Sequence, residues 1–265
     1  MYLAKLSLCA AVILGASAAS TSSGGKNKCQ NLKTDFSNGL GEWFDISGKG
    51  KGYKVTSEGL ELTLEPPKQF VRMTNPDDND NPYNKYESDT SADIQAPQKL
   101  HYGKVTYVMK SAGVKGAITD AILISDEGDE IDFEMLGAER NRVQTNFFYG
   151  KNPVYGVNGG NSKVDLDTAD DFHTYVIEWS PEKIVWSVDG KVIRTKNNDD
   201  DCSDDDKCTF PTHPTNVQFG LWDASNPSDT AEWAGGPIDW DKTDKVSAVV
   251  KSVQIECDPE YNELI

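Results

Sequence analysis

The 265-residue chain is poor in histidine, with only 3, and His101, His173 and His213 are scattered without metal-ligand spacing. No Gly-x-Ser-x-Gly elbow and no phosphate-cradling glycine loop is present, which removes elbow-type serine hydrolysis and nucleotide-phosphate binding. Basic residues are scarce: 26 Lys and Arg stand against 43 Asp and Glu, a formal net charge of −17. Such a field excludes nucleic acid and anionic membranes as partners. Beyond residue 14 no apolar run approaches the roughly 20 residues of a membrane span. A convincing helical period, an internal repeat, a Ser/Thr/Pro stalk and an Asn-x-Ser/Thr sequon are all missing (Asn226 is followed by Pro227).

The one apolar run, residues 6–14, follows Lys5 and ends in the small residues 15–20. A short positive region, a short apolar core and a small-x-small end describe a secretory signal peptide, and the run is too short to anchor in a bilayer. The expected organisation is therefore a signal peptide over 1–19 and a single β-jelly-roll domain over 20–265. Four cysteines then remain, an even number that suits two disulfides in a secreted protein. The favoured pairs are Cys202 with Cys208, closing a short loop, and Cys29 with Cys257, tying the two ends. Acidic stretches at 77–80 and 199–206 read as solvated loops; the second lacks the central glycine and closing glutamate of a calcium loop.

Period-two alternation predicts strands over 53–64 (with a turn at 57–59), 104–110, 117–124, 130–136, 143–149, 173–179, 184–188, 191–195, 217–222 and 246–256. Asp189-Gly190 between two β-rich runs marks a tight hairpin, and residues 180–183 supply a turn just before it. Many short strands with regular turns indicate an all-β fold: a jelly-roll sandwich of two curved antiparallel sheets, with a substrate groove on the concave face.

One strand stands out. Glu130, Asp132 and Glu134 alternate with Ile131, Phe133 and Met135, so three carboxylates share one strand face. Like charges stacked on one face are unfavourable unless they are used. Retaining glycoside hydrolysis uses two carboxyl groups about 5–5.5 Å apart, one as nucleophile and one as acid/base. The Cα atoms of Glu130 and Glu134 are about 13 Å apart at the strand rise, a gap that two inward-leaning glutamates largely close. Asp132 between them is placed to bond one glutamate and hold the pair's pKa values apart. A solvated acidic face and a calcium site are the alternatives, although ligands along one straight strand do not surround an ion.

Further along, Gln144, Asn146 and Phe148 share a face; if their strand pairs with the acidic one, two amides lie beside the carboxylates, able to bond sugar hydroxyls. Trp222, Trp233 and Trp240 fall late in the chain near Glu232 and Asp239, where exposed indoles would make platforms for sugar rings. Trp179 and Trp186 suit the interior, and His173 suits a structural hydrogen bond.

Asp129-Glu130-Ile131-Asp132-Phe133-Glu134, then Leu136-Gly137 and Val143-Gln144-Thr145-Asn146, resembles glycoside hydrolase family 16. The resemblance continues through Asp171-Phe172-His173-Thr174-Tyr175, Trp186-Ser187-Val188-Asp189-Gly190 and Leu221-Trp222. Within that family, Glu232-Trp233-Ala234-Gly235-Gly236 with Asp239-Trp240 is similar to the fungal Crh cell-wall transglycosylases. The resemblance implies Glu130 as nucleophile, Asp132 as helper and Glu134 as acid/base. It also implies sugar contacts at Trp222 and Thr230, while Asn216 stands where many relatives carry a basic residue. Such proteins often end in a Ser/Thr-rich tail with a lipid-anchor signal, so either a freely secreted protein or the catalytic part of a longer one is implied.

The expected function is a secreted, cofactor-free, metal-free monomer in the cell wall that cleaves chitin and transfers it to β-glucan or chitin through a glycosyl-enzyme. Its expected sugar-binding residues are Gln144, Asn146, Asn216, Trp222, Thr230, Glu232 and Trp233. An endo-β-1,3(4)-glucanase shares the chemistry up to the intermediate, and a non-catalytic wall lectin would share the fold.

Overall fold

The computed structural model describes residues 26–48, 50–77, 80–86, 91–199 and 208–265. The expected signal peptide, Cys202 and most of the two acidic stretches lie outside the described residues.

Along the chain, β1 (Asn27–Cys29), β2 (Leu32–Asp35), β3 (Phe44–Asp45), β4 (Tyr53–Thr56) and β5 (Gly59–Leu64) come first. They are followed by β6 (Phe70–Asn75), β7 (Asn81–Tyr86), β8 (Ser91–Leu100), β9 (Gly103–Lys110) and β10 (Ala117–Ile124). Next are β11 (Glu130–Leu136), β12 (Arg142–Phe148), β13 (Gly160–Lys163), β14 (His173–Trp179), β15 (Lys183–Val188) and β16 (Lys191–Asn197). Last come β17 (Thr215–Asp223), the helix α1 (Ser228–Trp233), β18 (Val246–Cys257) and β19 (Asn262–Leu264).

Seven strands form one sheet in the order β13-β12-β11-β10-β17-β8-β3. A second sheet runs β16-β15-β14-β9-β18-β5-β4, with β2 also on β18. All pairings inside these two sheets are antiparallel. Each sheet turns one alternate set of side chains onto a shared core. Ile131, Phe133 and Met135 of β11 meet Tyr107 of β9, Tyr175 of β14 and Trp186 of β15 in one buried cluster. The Phe133 and Tyr175 rings lie edge to face at 5.6 Å. Burying such aromatic faces supplies about 25 cal/mol per Å², which drives the two sheets together. The result is a β-jelly-roll sandwich.

The ends are tied as the sequence suggests. Cys29 and Cys257 form a disulfide across 228 residues, and β1 lies parallel to β19 beside it. Cys208 is also disulfide-bonded, but its expected partner Cys202 lies outside the described residues. His173 is a structural residue: its Nδ1 meets Asp189 Oδ2 at 2.7 Å and its Nε2 the Asp167 carbonyl at 3.1 Å, pinning the Asp189-Gly190 hairpin to β14.

Several elements exceed the expected set. The ten residues of β8 alternate Ala92, Ile94 and Ala96 inward, a weak hydrophobic signal interrupted by Pro97. The hairpin β6–β7 belongs to neither large sheet. The helix α1 has six residues, too few for a period to show.

Candidate active site

Strand β11 is fixed at its start by a residue that is itself fully used. Asp129 is buried; its Oδ2 accepts from the Thr212 and His213 amides at 2.7 and 2.9 Å and from His213 Nδ1 at 2.9 Å. Its Oδ1 accepts from the Gly150 amide at 2.9 Å. From the opposite sheet, Trp186 Nε1 donates 2.9 Å to the Asp132 carbonyl, locking the middle of the strand. Arg194 braces that indole, 4.7 Å above its ring, and donates to the Thr145 carbonyl of β12. At the far end Gly137 passes the backbone so closely that a Cβ there would lie 2.1 Å from the Val114 carbonyl oxygen.

The inward set of β11 is apolar, so Glu130, Asp132 and Glu134 face outward. Yet Asp132 and Glu134 are only 2% and 9% exposed. Carboxylates that lie on an outer face and are still inaccessible form the floor of a depression. Strand register sets their neighbours. Glu134 stands between Gln144 of β12 and Asp120 of β10, and beyond Asp120 the same row runs through Gly220 to Asp93 of β8. Asp132 stands opposite Asn146, and Glu130 opposite Phe148. The conditional strand pairing of the sequence is thus present, with both amides beside the acids.

Burial drives the carboxyls of Glu130, Asp132, Glu134 and Asp120 upward in pKa, because the charged form loses its hydration. Glu130 is pushed up to about 7 by burial, partly offset by a hydrogen bond from Asp132 that favours its ionised form. Glu134 is pushed up to about 8, by burial first and then by the charge on Glu130. Asp132 and Asp120 are driven well above the usual carboxylate range, again by burial first and then by neighbouring acids. The Glu130–Glu134 pair titrates as a unit, and burial raises both carboxyls. One oxygen of Asp132, Oδ1, is buried with no hydrogen-bond partner among the described residues, an uncommon state for such an atom.

An ionised carboxylate and a protonated one on the same recessed strand face are the two reagents of retaining glycosyl transfer. Residues 40–242 match the pattern of "Glycosyl hydrolases family 16". The chain belongs to that family. Its relatives include Crh-like protein 2 of Aspergillus fumigatus, 43% identical over 150 residues that make up 55% of this chain and 34% of that protein. Crh-like protein UTR2 of Candida albicans is 33% identical over 207 residues, 77% of this chain and 44% of that one. The chain therefore spans less than half the length of these curated relatives. Among solved structures, the Crh5 transglycosylase in complex with NAG superposes with a TM-score of 0.70 at 30% identity, covering 88% of this chain and 87% of that chain. These similarities place the chain in the fungal Crh type of family 16. A prokaryotic β-1,3-1,4-glucanase (lichenase) at 20% identity and TM-score 0.65 shares the fold.

Against that family frame, the expected sugar-binding residues divide. Gln144, Asn146, Asn216 and Trp222 lie on the outer face of the seven-stranded sheet, Asn216 between Ile124 and Lys99 in register. Lys99, opposite Asn216 in register, is paired with Asp126 at 2.7 Å. Trp222 and Trp233 stack 6.0 Å apart with a 22° interplanar angle. Trp233 Nε1 donates 2.9 Å to Gln144 Oε1; an indole only donates, so this bond fixes the amide's orientation and leaves its NH₂ free to point elsewhere. Glu232 is exposed on α1.

Two residues lie deeper than the sequence suggests. Thr230 is only 2% exposed on α1. Trp240 is buried and donates to Tyr86 Oη and Asp223 Oδ2, so it is no platform. Sequence reasoning misses Asp120. Its signal is one acid in the alternating run Ile118-Thr119-Asp120-Ala121-Ile122, on the face that pairs with Glu134. Gly220 belongs with it: a Cβ there would lie 2.6 Å from Asp93 Oδ1 and 3.1 Å from Asp120 Oδ2, so the two carboxyl groups fill the space a side chain would take.

Proposed function

We propose that this chain is a retaining transglycosylase of the fungal cell wall that cleaves chitin and joins it to β-glucan or chitin. The observation that carries the reading is the recessed same-face pair Glu130 and Glu134, with burial raising both carboxyls. Support for the sugar comes from the related Crh5 transglycosylase, which binds NAG.

In this reading Glu130 attacks the anomeric carbon as a carboxylate while Glu134 gives its proton to the departing oxygen. The C–O bond to the leaving sugar breaks as the ester to Glu130 forms. Esterification also cancels the Glu130 charge, one of the causes that hold the Glu134 pKa up. Glu134 is then left as a carboxylate of lower pKa, suited to take the proton of an incoming sugar hydroxyl. The site's electrostatics thus change in the direction the second step requires.

Secretion and a signal peptide over 1–19, with one domain over 20–265, belong to the same proposal. They are supported by the Cys29–Cys257 disulfide, a bond of oxidising compartments.

The test is product analysis from chitin oligomers with labelled laminarin or chitin oligomers as acceptors. Labelled products longer than the acceptor are expected, and Glu130→Gln abolishes them. Exclusively shorter, unlabelled products would give the hydrolase reading instead, and saccharide binding without turnover would give the lectin.

A further inference from the structure

The hairpin β6–β7 pairs with no strand of either sheet, yet it carries one of the most buried polar side chains in the described protein. Asn84 is fully buried. Its amide donates to Tyr86 Oη at 2.7 Å and to the Ile238 carbonyl at 3.0 Å, and its oxygen accepts from Arg72 Nε at 2.7 Å. Its backbone amide donates 2.8 Å to the Ser225 carbonyl. Tyr86 in turn donates 2.8 Å to Asp223 Oδ2. At the hairpin's other end Asn75 Nδ2 donates 2.8 Å to Ser228 Oγ, at the start of α1. Every one of these long-range bonds ends on residues 223–240.

That segment carries Trp233. Trp222, the residue just before it, and Trp233 rest together on a small apolar cluster of Ile118, Leu136, Ala224 and Ala234, separate from the main core. Register places Trp222 opposite Ile118, and Ile118 opposite Leu136, so the aromatic pair lies past Glu134 on the side away from Glu130. The bond from Trp233 to Gln144 brings it beside the acid/base glutamate. An acceptor hydroxyl must come within hydrogen-bond reach of Glu134 to lose its proton. The flat aromatic end of the groove is therefore where the acceptor ring rests.

We infer that the hairpin β6–β7 is a positioning device for the acceptor: through Asn84 and Tyr86 it holds residues 223–240, and with them the Trp222–Trp233 pair, and so sets how the glycosyl-enzyme partitions between sugar and water. The inference rests on the transglycosylase reading. A buried amide with its donors and acceptor all filled fits one position of its partner segment, because any shift leaves groups unpaired. Water needs no platform, whereas a sugar ring does. Loosening the segment penalises transfer and spares the first chemical step.

The experiment compares the whole protein with its Asn84→Ala, Tyr86→Phe and Asn75→Ala variants. It measures donor consumption without acceptor, and transfer products across acceptor concentrations. The expected result is an acceptor KM raised about tenfold in Asn84→Ala, and less in the other two, with the transfer-to-hydrolysis ratio falling in step. Donor consumption without acceptor stays within about twofold. An unchanged acceptor KM and ratio, with only a lower Tm, would reduce the hairpin to a prop and overturn the inference. Equal loss of donor consumption and transfer would overturn it too. If Asn84→Ala does not fold, the milder pair decides by the same criteria. If the unmodified protein forms no transfer product at all, the transglycosylase reading itself fails, an outcome distinct from any difference among the variants.

Discussion

Strand β11 and the segment 223–240 meet beside Glu134 and are built on opposite plans. The strand's function lies in its own alternation: three acids outward, three apolar residues inward, each neighbour fixed by ladder register. The segment has one short helix, and its place is set by side chains of a hairpin far away in sequence. The first region is rigid because the core holds it, with Trp186 and Asp129 as added pins. The second is held mainly by hydrogen bonds, each worth about 1 kcal/mol when made and about 1–3 kcal/mol when one partner is left unpaired. The proposed reading puts chemistry on the first region and acceptor choice on the second, so their mutations should fail in different ways.

The largest expected effect is on the strand. Glu134→Gln removes the proton that the leaving oxygen needs, and natural-substrate turnover should fall by about 10²–10⁴. An aryl glycoside whose leaving group needs no protonation should lose far less in the first step. If both substrates lost equally, Glu134 would not be the acid. A smaller effect is expected at the wall: Trp233→Ala removes both the stacked indole and the bond to Gln144. About 1–3 kcal/mol, or roughly 5- to 150-fold, should appear in acceptor KM, with single-turnover donor cleavage little changed. A drop confined to cleavage would place Trp233 on the donor side and dissolve the contrast between the regions.

The same contrast decides what the amino-acid sequence alone reveals. Glu130, Asp132 and Glu134 announce their face because strand alternation is local, and Gln144 and Asn146 follow from the next strand in the same way. Most strand boundaries are legible for that reason. The inward set of β8 is alanine-rich and interrupted by Pro97, so its period is faint. The hairpin β6–β7 is harder still, since Asn84 and Tyr86 look like ordinary loop-edge polar residues until residues 223–240 arrive beside them. Thr230 misleads because a six-residue helix does not reveal its inner face. Trp240 misleads for a related reason: an indole that caps a buried carboxylate looks in sequence like one that stacks on sugar. Asp120 is the intermediate case, visible as an acid in an apolar strand but meaningless until register sets it against Glu134.

Asp120 gives the smallest effect on activity and a distinct signature in stability. Its carboxyl is raised well above the usual range, by burial first and then by Asp93, Glu134 and Glu130. The folded state therefore holds a proton that the unfolded chain releases above its ordinary pKa of about 4. A raised folded pKa means stability that is fully present below about pH 4 and is lost as pH rises toward the folded value. Each pH unit in that window costs up to about 1.4 kcal/mol for one such group. Asparagine keeps the shape of the neutral acid and cannot ionise. The Asp120→Asn variant should thus gain on the unmodified protein as pH rises above about 4, read as a widening difference in Tm. With burial favouring the neutral form of Asp120, the basic limb of the kcat/KM profile should move by only a few tenths of a unit. Parallel Tm curves would mean that Asp120 is ionised in the fold; a large shift of the basic limb would say the same from the side of the chemistry. In either case the row from Gln144 to Asp93 would carry a charge beside Glu134, and that like charge would push the Glu134 carboxyl further upward.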